Sequence, residues 1–421
     1  MNTQALNGPD ATRGRIVMIS GAIPEDVMSA LMKADPAPEI QTQKLSWAVI
    51  RGIESTGKVI DLISTVPIKD YPKSSWLWSG YRKWDRGNGS DNRLVPFINL
   101  LGLKQLTRFI GCAGMLLRWA IANRGGKRHI LQFGLTSAHL YAVRLVKLLF
   151  PIKNTVLITD LPVLKADRES WWRRALRPID YSMVHRAVLA SDGVIALTRQ
   201  VTEDYAPSIP AIVMEGVVSI ESEESAKMTP EPDGRPTEFV VLYTGGLSQS
   251  NGVLLLLDAF AKLPSEDARL WVFGGGDMAE DVRRRAERDR RIYFPGFVSP
   301  VETIRRAQEA TVLVNPRLSR QSFTPYSFPS KLIEYMAAGR PVVSTRLPGI
   351  PAEYDPYIVW LDRETPEGLA TLLRSLQEQP RIELDRIGLR GRDFVLHHKN
   401  YREQGKRIVE FMDSDNLMGK K

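Results

Sequence analysis

The chain alternates between two kinds of segment. Short runs of Val, Ile and Leu bounded by Gly, Pro or Asp are separated by longer stretches with helical spacing. Arg15–Ser20, Lys58–Ser64, His129–Phe133, Thr155–Thr159, Asp192–Leu197 and Ala211–Met214 read as strands. Their apolar residues run on consecutively instead of alternating, the mark of strands covered on both faces. With helices between them, they predict a parallel sheet in an α/β domain. The pattern breaks at Ser219–Thr237, which is rich in Glu, Ser and Pro and reads as a linker. A second series follows, with strands at Phe239–Tyr243, Arg269–Phe273, Arg291–Phe294, Thr311–Asn315 and Pro341–Thr345. Helices are expected at Val253–Leu263, Lys331–Ala338 and Tyr401–Met412.

This order predicts four parts: a Rossmann-like domain over 1–218, the linker 219–237, a second such domain over 238–398, and a C-terminal helical segment, 399–421, returning to the first domain. Two doubly wound domains facing across a cleft would place ligands beyond the carboxyl ends of the strands.

Composition adds limits. The 421 residues are 43% hydrophobic and 25% charged, ordinary for a globular protein with a large core. A single cysteine, Cys112, excludes an internal disulfide and reads as a packing residue. Met1–Gly14 is polar and Ile16–Ile19 is too short for a signal segment. Phe109–Ala122 is broken by Arg118 and falls short of the roughly 20 residues of a membrane span. The cytoplasm is the expected compartment. The net charge of +9 favours anionic partners. The basic residues read as spread along the chain. The densest run, Arg283–Arg291, also holds Glu287 and Asp289 and reads as a solvated helix face, so no nucleic-acid partner is expected.

The strongest local signal for chemistry is Thr324–Gly339. Pro329 suits a helix start because it has no N–H to leave unpaired. Ser330, Lys331 and Leu332 would then present free backbone N–H groups, a geometry that binds phosphate. Lys331 sits where the helix dipole disfavours a cation, which points to an anionic ligand. Glu334, one turn further, is placed to accept hydrogen bonds from a ribose. The bland alternative is an amphipathic helix with a surface Lys and Glu.

Phe328-Pro329-Ser330-Lys331-Leu332-Ile333-Glu334-Tyr335-Met336-Ala337-Ala338-Gly339-Arg340-Pro341-Val342-Val343 resembles the F-P-S-K-L-x-E-Y-M-A-x-G-x-P-V-V signature of the GT-B glycosyltransferases of family 4. Thr244-Gly245-Gly246 through Gly252 is similar to that family's first loop in the C-terminal domain, Phe273–Asp277 to its glycine turn, and Phe294–Val298 to the segment flanking the nucleobase. The resemblance is clear over about Phe239–Tyr354 and loose in the first domain. It implies the GT-B fold and a nucleotide diphosphate sugar as donor, with no cofactor and no metal. It also implies roles. Ser330, Lys331 and Leu332 would hold the diphosphate and Glu334 the ribose. Phe297 and Val298 would meet the base, Gly245 and Gly276 would shape the donor turns, and Gly21 would admit the first-domain backbone to the phosphates.

Several positions depart from the family pattern. Tyr326 stands where many members carry a sugar-facing Glu, and Gly246 and Asn251 stand where many carry an Arg and a Lys. Arg317, at a strand end, is the candidate for the missing charge. Asp160 replaces a His at a strand end of the first domain and is the candidate base or acceptor-orienting group; a turn-capping Asp is its alternative. Asp413-Ser414-Asp415 lies in a polar tail and is discounted as a metal motif. His139, on a helix after a strand, is expected on a plain helix surface, with a cleft-facing position as its alternative.

Tyr71–Trp84 holds Trp76, Trp78 and Trp84 with Lys73, Arg82 and Lys83, and Leu101–Arg124 holds Leu103, Leu106, Phe109, Ile110, Leu116, Leu117 and Trp119 with Lys104, Arg108 and Arg118. Such segments either lie on an anionic membrane surface or form core helices. The expected acceptor is a glycan or lipid-linked glycan of a bacterial envelope polymer or exopolysaccharide, with retention at the anomeric carbon. A nucleotide-sugar epimerase and a non-catalytic nucleotide-sugar-binding protein are the competing readings.

Overall fold

The computed structural model describes residues 14–35, 40–161, 171–218, 223–224 and 236–414. Nearly all of the expected linker, 219–237, lies outside the described residues, as do Met1–Arg13, Pro162 and Asp415. The chain divides into two compact units, Met1–Met214 with Gln404–Lys421, and Glu215–Glu403.

The first unit is built on an eight-stranded sheet. Its strands are β1 (Arg15–Ser20), β2 (Ile60–Ser64), β4 (Arg82–Trp84), β5 (Asn92–Leu94), β7 (Arg128–Phe133), β8 (Lys153–Ile158), β9 (Gly193–Ala196) and β10 (Ala211–Val213), in the order β10-β9-β8-β7-β1-β2-β5-β4. All pairings are parallel except β4 with β5. A separate two-stranded antiparallel piece joins β3 (Trp78–Ser79) to β6 (Phe97–Ile98). Helices α1 (Glu25–Ala34), α2 (Ile40–Glu54), α3 (Leu103–Ala122), α4 (Ser137–Leu149), α5 (Trp171–Leu189) and α6 (Arg199–Tyr205) supply the crossovers.

Val17 and Ile19 of β1 and Ile130 of β7 pack with Cys112, Leu116 and Trp119 of α3 and with Val143 of α4. Burial pushes the Cys112 thiol up to about 12, so it is a packing group and not a nucleophile. Buried Asp61 takes the indole N–H of Trp119 at 2.8 Å and the Asp91 backbone N–H at 2.8 Å, so its charge is not stranded.

The second unit carries a six-stranded, wholly parallel sheet: β11 (Phe239–Gly246), β12 (Ala268–Gly275), β13 (Ile292–Gly296), β14 (Val312–Asn315), β15 (Val342–Thr345) and β16 (Val359–Leu361), in the order β13-β12-β11-β14-β15-β16. Its helices are α7 (Val253–Ala261), α8 (Ala279–Arg288), α9 (Pro300–Glu309), α10 (Ser330–Ala337), α11 (Pro366–Gln377) and α12 (Arg381–His398). The Leu-rich α7 buries Leu255, Leu256, Leu257 and Phe260 against the sheet and α11. Each such side chain contributes about 1.5–3 kcal/mol. At the unit's first residue, buried Glu215 meets Lys399 Nζ at 3.1 Å, and Lys399 also reaches Glu353 at 2.7 Å. Burial raises the Glu215 carboxyl above its usual range although Lys399 draws it down.

Helix α13 (Tyr401–Asp413) belongs to the first unit from Gln404 onward. Gly405 lies against α2 so closely that a Cβ there would fall 2.0 Å from the Gly52 carbonyl carbon. Two features of the fold have no counterpart in the sequence pattern. Strands β3 to β6 are two or three residues long, too short to show a period. Strands β11 and β12 run on into their glycines, where composition alone suggests a loop.

Candidate functional site

Strands β11, β12 and β14 are parallel neighbours, so their carboxyl ends share one edge of the second sheet. Gly245 faces Gly274 in the register, and Gly246 faces Gly275. Gly276 follows at φ +155, where a Cβ would sit 2.3 Å from the Leu247 carbonyl oxygen. Gly252, at φ +75, brings the first loop onto Pro316, and a Cβ there would lie 1.8 Å from the Pro316 oxygen. These two glycines let the loops close over the strand ends without a steric conflict.

Arg317 emerges next to that contact. Its guanidinium is half-buried and reaches only long hydrogen bonds, to Ser327 Oγ at 3.5 Å and Asn251 Oδ1 at 3.4 Å. Its Nε is buried with no partner among the described residues, and the group stands 5.6 Å over the Phe323 ring. Burial lowers the Arg317 pKa, with a small opposing pull from Tyr243. Asn251, which replaces a family cation, thus orients another cation at the same loop.

Helix α10 starts where the sequence predicts. Pro329 is its N-cap and offers no side-chain acceptor. The N–H groups of Ser330 and Lys331 have no acceptor among the described residues. Leu332 corrects the sequence reading: its N–H donates to the Pro329 carbonyl at 2.8 Å, and its side chain is wholly buried. It is therefore a core residue closing the first turn.

Lys331 and Glu334, assigned separately to a diphosphate and a ribose, bond to each other at 2.7 Å. This i,i+3 pairing follows from helix geometry, which stacks the two on one face. Burial works against the Lys331 charge, yet the Glu334 carboxylate raises its pKa above the usual range. Any ligand anion at Lys331 must therefore compete with Glu334.

Phe297 has 84% of its surface exposed. Its ring lies over Gly275, where a Cβ would come within 2.3 Å of it. Val298 beside it is half-buried. Tyr326 closes a single 3-10 turn, Thr324–Tyr326, and is half-buried. The hydroxyl of buried Thr324 donates within this loop, with Ser319 O at 2.7 Å and Gln321 O at 2.8 Å, which fixes the approach to α10.

Sequence reasoning passed over Tyr335. Its hydroxyl accepts from Thr244 N–H at 2.7 Å and donates to Thr244 O at 3.0 Å, clamping α10 to β11. Tyr243 Oη donates to Gly246 O at 2.8 Å and holds the glycine turn. Within a helical or strand period such tyrosines look like ordinary core residues; only their paired hydroxyls distinguish them.

Gly21 and Asp160 belong to the first unit. Gly21 has room for a side chain, since a Cβ would meet Pro67 and Gln43 at ordinary distances of 3.6–3.7 Å. Its carbonyl accepts from Gln43 Nε2. Asp160 is exposed just past the carboxyl end of β8 and makes no hydrogen bond among the described residues. His139 is not on a surface as expected. It is buried in the first turn of α4 with neither ring nitrogen paired among the described residues. Burial, reinforced by Arg108, pushes its pKa down to about 3. Asp413 of the discounted metal motif pairs with Lys58 at 2.7 Å.

Residues 238–379 match the family model described as Glycosyl transferases group 1. No curated protein matches the sequence. Among solved structures, sucrose-phosphate synthase from Thermosynechococcus elongatus is similar at 16% identity and a TM-score of 0.64, over 95% of this chain and 98% of that one. Anabaena HepE in complex with UDP is similar at 14% identity and a TM-score of 0.60, over 94% and 99%. The lipopolysaccharide outer core galactosyltransferase WaaB is similar at 16% identity and a TM-score of 0.59, over 94% and 99%. At these identities the likeness concerns the fold. The family match thus covers about a third of the chain, within the second unit, and the chain as a whole has the two-domain GT-B fold.

Proposed function

We propose that this chain transfers a sugar from a nucleoside diphosphate donor to an acceptor hydroxyl, without a metal and with retention at the anomeric carbon. The acceptor is a glycan or lipid-linked glycan of a bacterial envelope polymer or exopolysaccharide. The protein works at the cytoplasmic face of the cell membrane, in peripheral contact with anionic lipid. The observation that carries the donor assignment is Arg317. It is a half-buried cation with an unpaired Nε and no carboxylate among the described residues, on the strand edge from which α10 presents two free N–H groups. Such donors stabilise the negative charge that grows on a departing diphosphate. In this reading Phe297 offers an aromatic face to the base beside Val298, and Gly245 and Gly276 keep side chains out of the donor turns. Glu334 turns from Lys331 to the ribose when the diphosphate takes its place. Tyr326 faces the sugar.

The similar structures include HepE with UDP and with UDP-glucose, which makes UDP the first probe. The WaaB likeness supports an envelope glycan as acceptor. Asp160 is assigned to the acceptor hydroxyl because it is exposed and unpaired at a strand carboxyl end, where ligands of open α/β sheets bind.

Thermal unfolding with UDP and a panel of nucleotide sugars tests the donor site. UDP and one donor should raise the melting temperature; no shift with any of them ends the proposal. Asp160→Asn should lower kcat at least roughly 100-fold, the range of general acid–base effects, with donor affinity unchanged. A fully active variant returns Asp160 to a turn residue. Donor binding with no transfer to any glycan acceptor favours the non-catalytic reading.

A further inference from the structure

The first turns of helix α3 face cations inward, while its later turns bury Cys112, Leu116 and Trp119. In those first turns the inner face includes two cations and the outer face carries an apolar stripe. Lys104 Nζ donates to Ile68 O and, at 2.8 Å, to Asp70. Arg108 donates to Val66 O at 2.8 Å, and its guanidinium lies 4.3 Å over the Phe97 ring. Leu103, Leu106 and Ile110 point outward, with Ile110 59% exposed. Their spacing of three and four puts them on one face of the helix. Rolling the helix to bury that face would strip both cations of their acceptors, so the outward apolar stripe is fixed by the fold.

The stripe continues onto the neighbouring strands. Trp78 of β3 pairs with Ile98 of β6, and Asn99 N–H donates to Leu77 O at 2.7 Å. Ile98 N–H donates to Thr107 Oγ1 of α3 at 3.1 Å. These bonds set exposed Leu77, Trp78, Leu100 and Leu101 beside the start of α3. Apolar exposure this continuous marks a surface that something else covers.

Charge decides what covers it. The basic residues are spread along the chain, but the acidic residues that balance them are not. Between Asp91 and Asp160 there are ten Lys and Arg and no Asp or Glu, while the whole chain carries +9. Arg118, Arg124, Lys127 and Arg144 of this stretch are exposed and bond to no carboxylate among the described residues. Arg118 lies on α3 and Arg124 and Lys127 follow its end, so two copies meeting along this helix would set like charges against each other, whereas anionic headgroups would neutralise them. No helix among the described residues is long and apolar enough to cross a membrane, so the contact is with its surface. An interfacial helix places Leu and Ile at the acyl boundary and Trp at headgroup level.

We propose that the outer face of α3, with Leu77–Trp78 and Leu100–Leu101, is a docking surface for an anionic lipid bilayer. The proposal deepens the membrane contact put forward above and does not depend on the sugar chemistry. The test is sedimentation of the full chain with phosphatidylcholine vesicles, with and without phosphatidylglycerol. Wild type should bind the anionic vesicles and weaken with salt. Leu106→Glu combined with Ile110→Glu should reduce binding at least roughly tenfold at an unchanged melting temperature. Arg118→Glu combined with Arg124→Glu should also reduce binding and flatten its salt dependence. A wild type that ignores the anionic vesicles overturns the proposal, as does an apolar-face variant that binds equally well. A wild-type dimer that the Leu106/Ile110 variant dissociates assigns the face to a second copy and also overturns it. Vesicle binding without any UDP-induced thermal shift rejects the donor reading alone.

Discussion

The carboxyl edges of the two parallel sheets handle their polar groups differently. In the second unit the loop carbonyls are filled by protein partners. Gly246 O takes both Tyr243 Oη at 2.8 Å and Asn251 Nδ2 at 2.9 Å, and Thr244 has both backbone groups on Tyr335. Among the described residues, donors are left over beside these loops: Arg317 Nε and the first two N–H groups of α10. In the first unit the unpaired buried atoms are mixed. Ser64 Oγ, Gln132 Oε1 and both ring nitrogens of His139 lack partners among the described residues. Convergent donors, one of them a cation, favour an anion; a mixed set has no such preference. The difference explains why one edge reads as a phosphate site and the other does not.

Gly252 offers the harshest way to break this comparison. Gly252→Ala adds a Cβ 1.8 Å from a backbone oxygen at a positive φ, and no side-chain rotation relieves it. Strain of this kind costs about 3 kcal/mol or more, and it should also displace Arg317. In the first unit, Gly21→Ala meets only ordinary contacts and should cost less than about 1 kcal/mol. Urea denaturation of both variants checks the pair. Equal losses would mean that the second edge is no more tightly closed than the first.

Arg317→Ala is the next largest effect. It should weaken UDP about 100-fold, the worth of one or two charge-assisted hydrogen bonds, while leaving the melting temperature close to wild type. Arg317→Lys should recover part of the affinity, since an ammonium keeps the charge but not the planar fork. Isothermal titration reads both. An unchanged affinity in the Ala variant would move the anion away from this edge and remove the contrast between the two sheets.

The ends of this comparison were not equally legible in the sequence. The helix start at Ser330, the glycine turns and strands β11 to β15 of the second unit follow from apolar runs and punctuation by Gly and Pro, whereas β16 does not. Those signals are local, and the structure places them within three residues. The partners of the site residues are not local. That Lys331 bonds Glu334, that Leu332 spends its N–H on Pro329, and that Tyr335 clamps Thr244 depends on side-chain direction and on residues up to 91 positions away. The first unit hid more. Helix α3 has a plain amphipathic period, but the period does not say which face turns inward. The two cations took the inner face because Val66, Ile68 and Asp70 supply acceptors there. His139 was misplaced for the same reason: its helix surface is covered by α3, which only the packing of the two helices shows.

His139 gives the smallest and most diagnostic contrast. It is held neutral in the fold, with its pKa lowered from 6.5 to about 3 by burial and by Arg108 of α3. Unfolding lets the ring take up a proton at any pH between those two values. The folded state then binds fewer protons than the unfolded one, so stability falls as pH drops through that window. The expected slope is about 1.4 kcal/mol per pH unit for this group alone. Buried His129, lowered to about 4 by its own burial, adds a similar slope above that value. His139→Leu removes one proton site and two unpaired buried nitrogens while keeping an apolar filler of similar size. It should leave stability at pH 7.5 unchanged or slightly higher and flatten the acid limb by one His equivalent. Urea midpoints from pH 7.5 to 4.5 measure both quantities. An identical acid limb in wild type and variant would mean that the ring finds a hydrogen-bond partner in solution, and the mixed polar edge of the first unit would then be as well satisfied as the second.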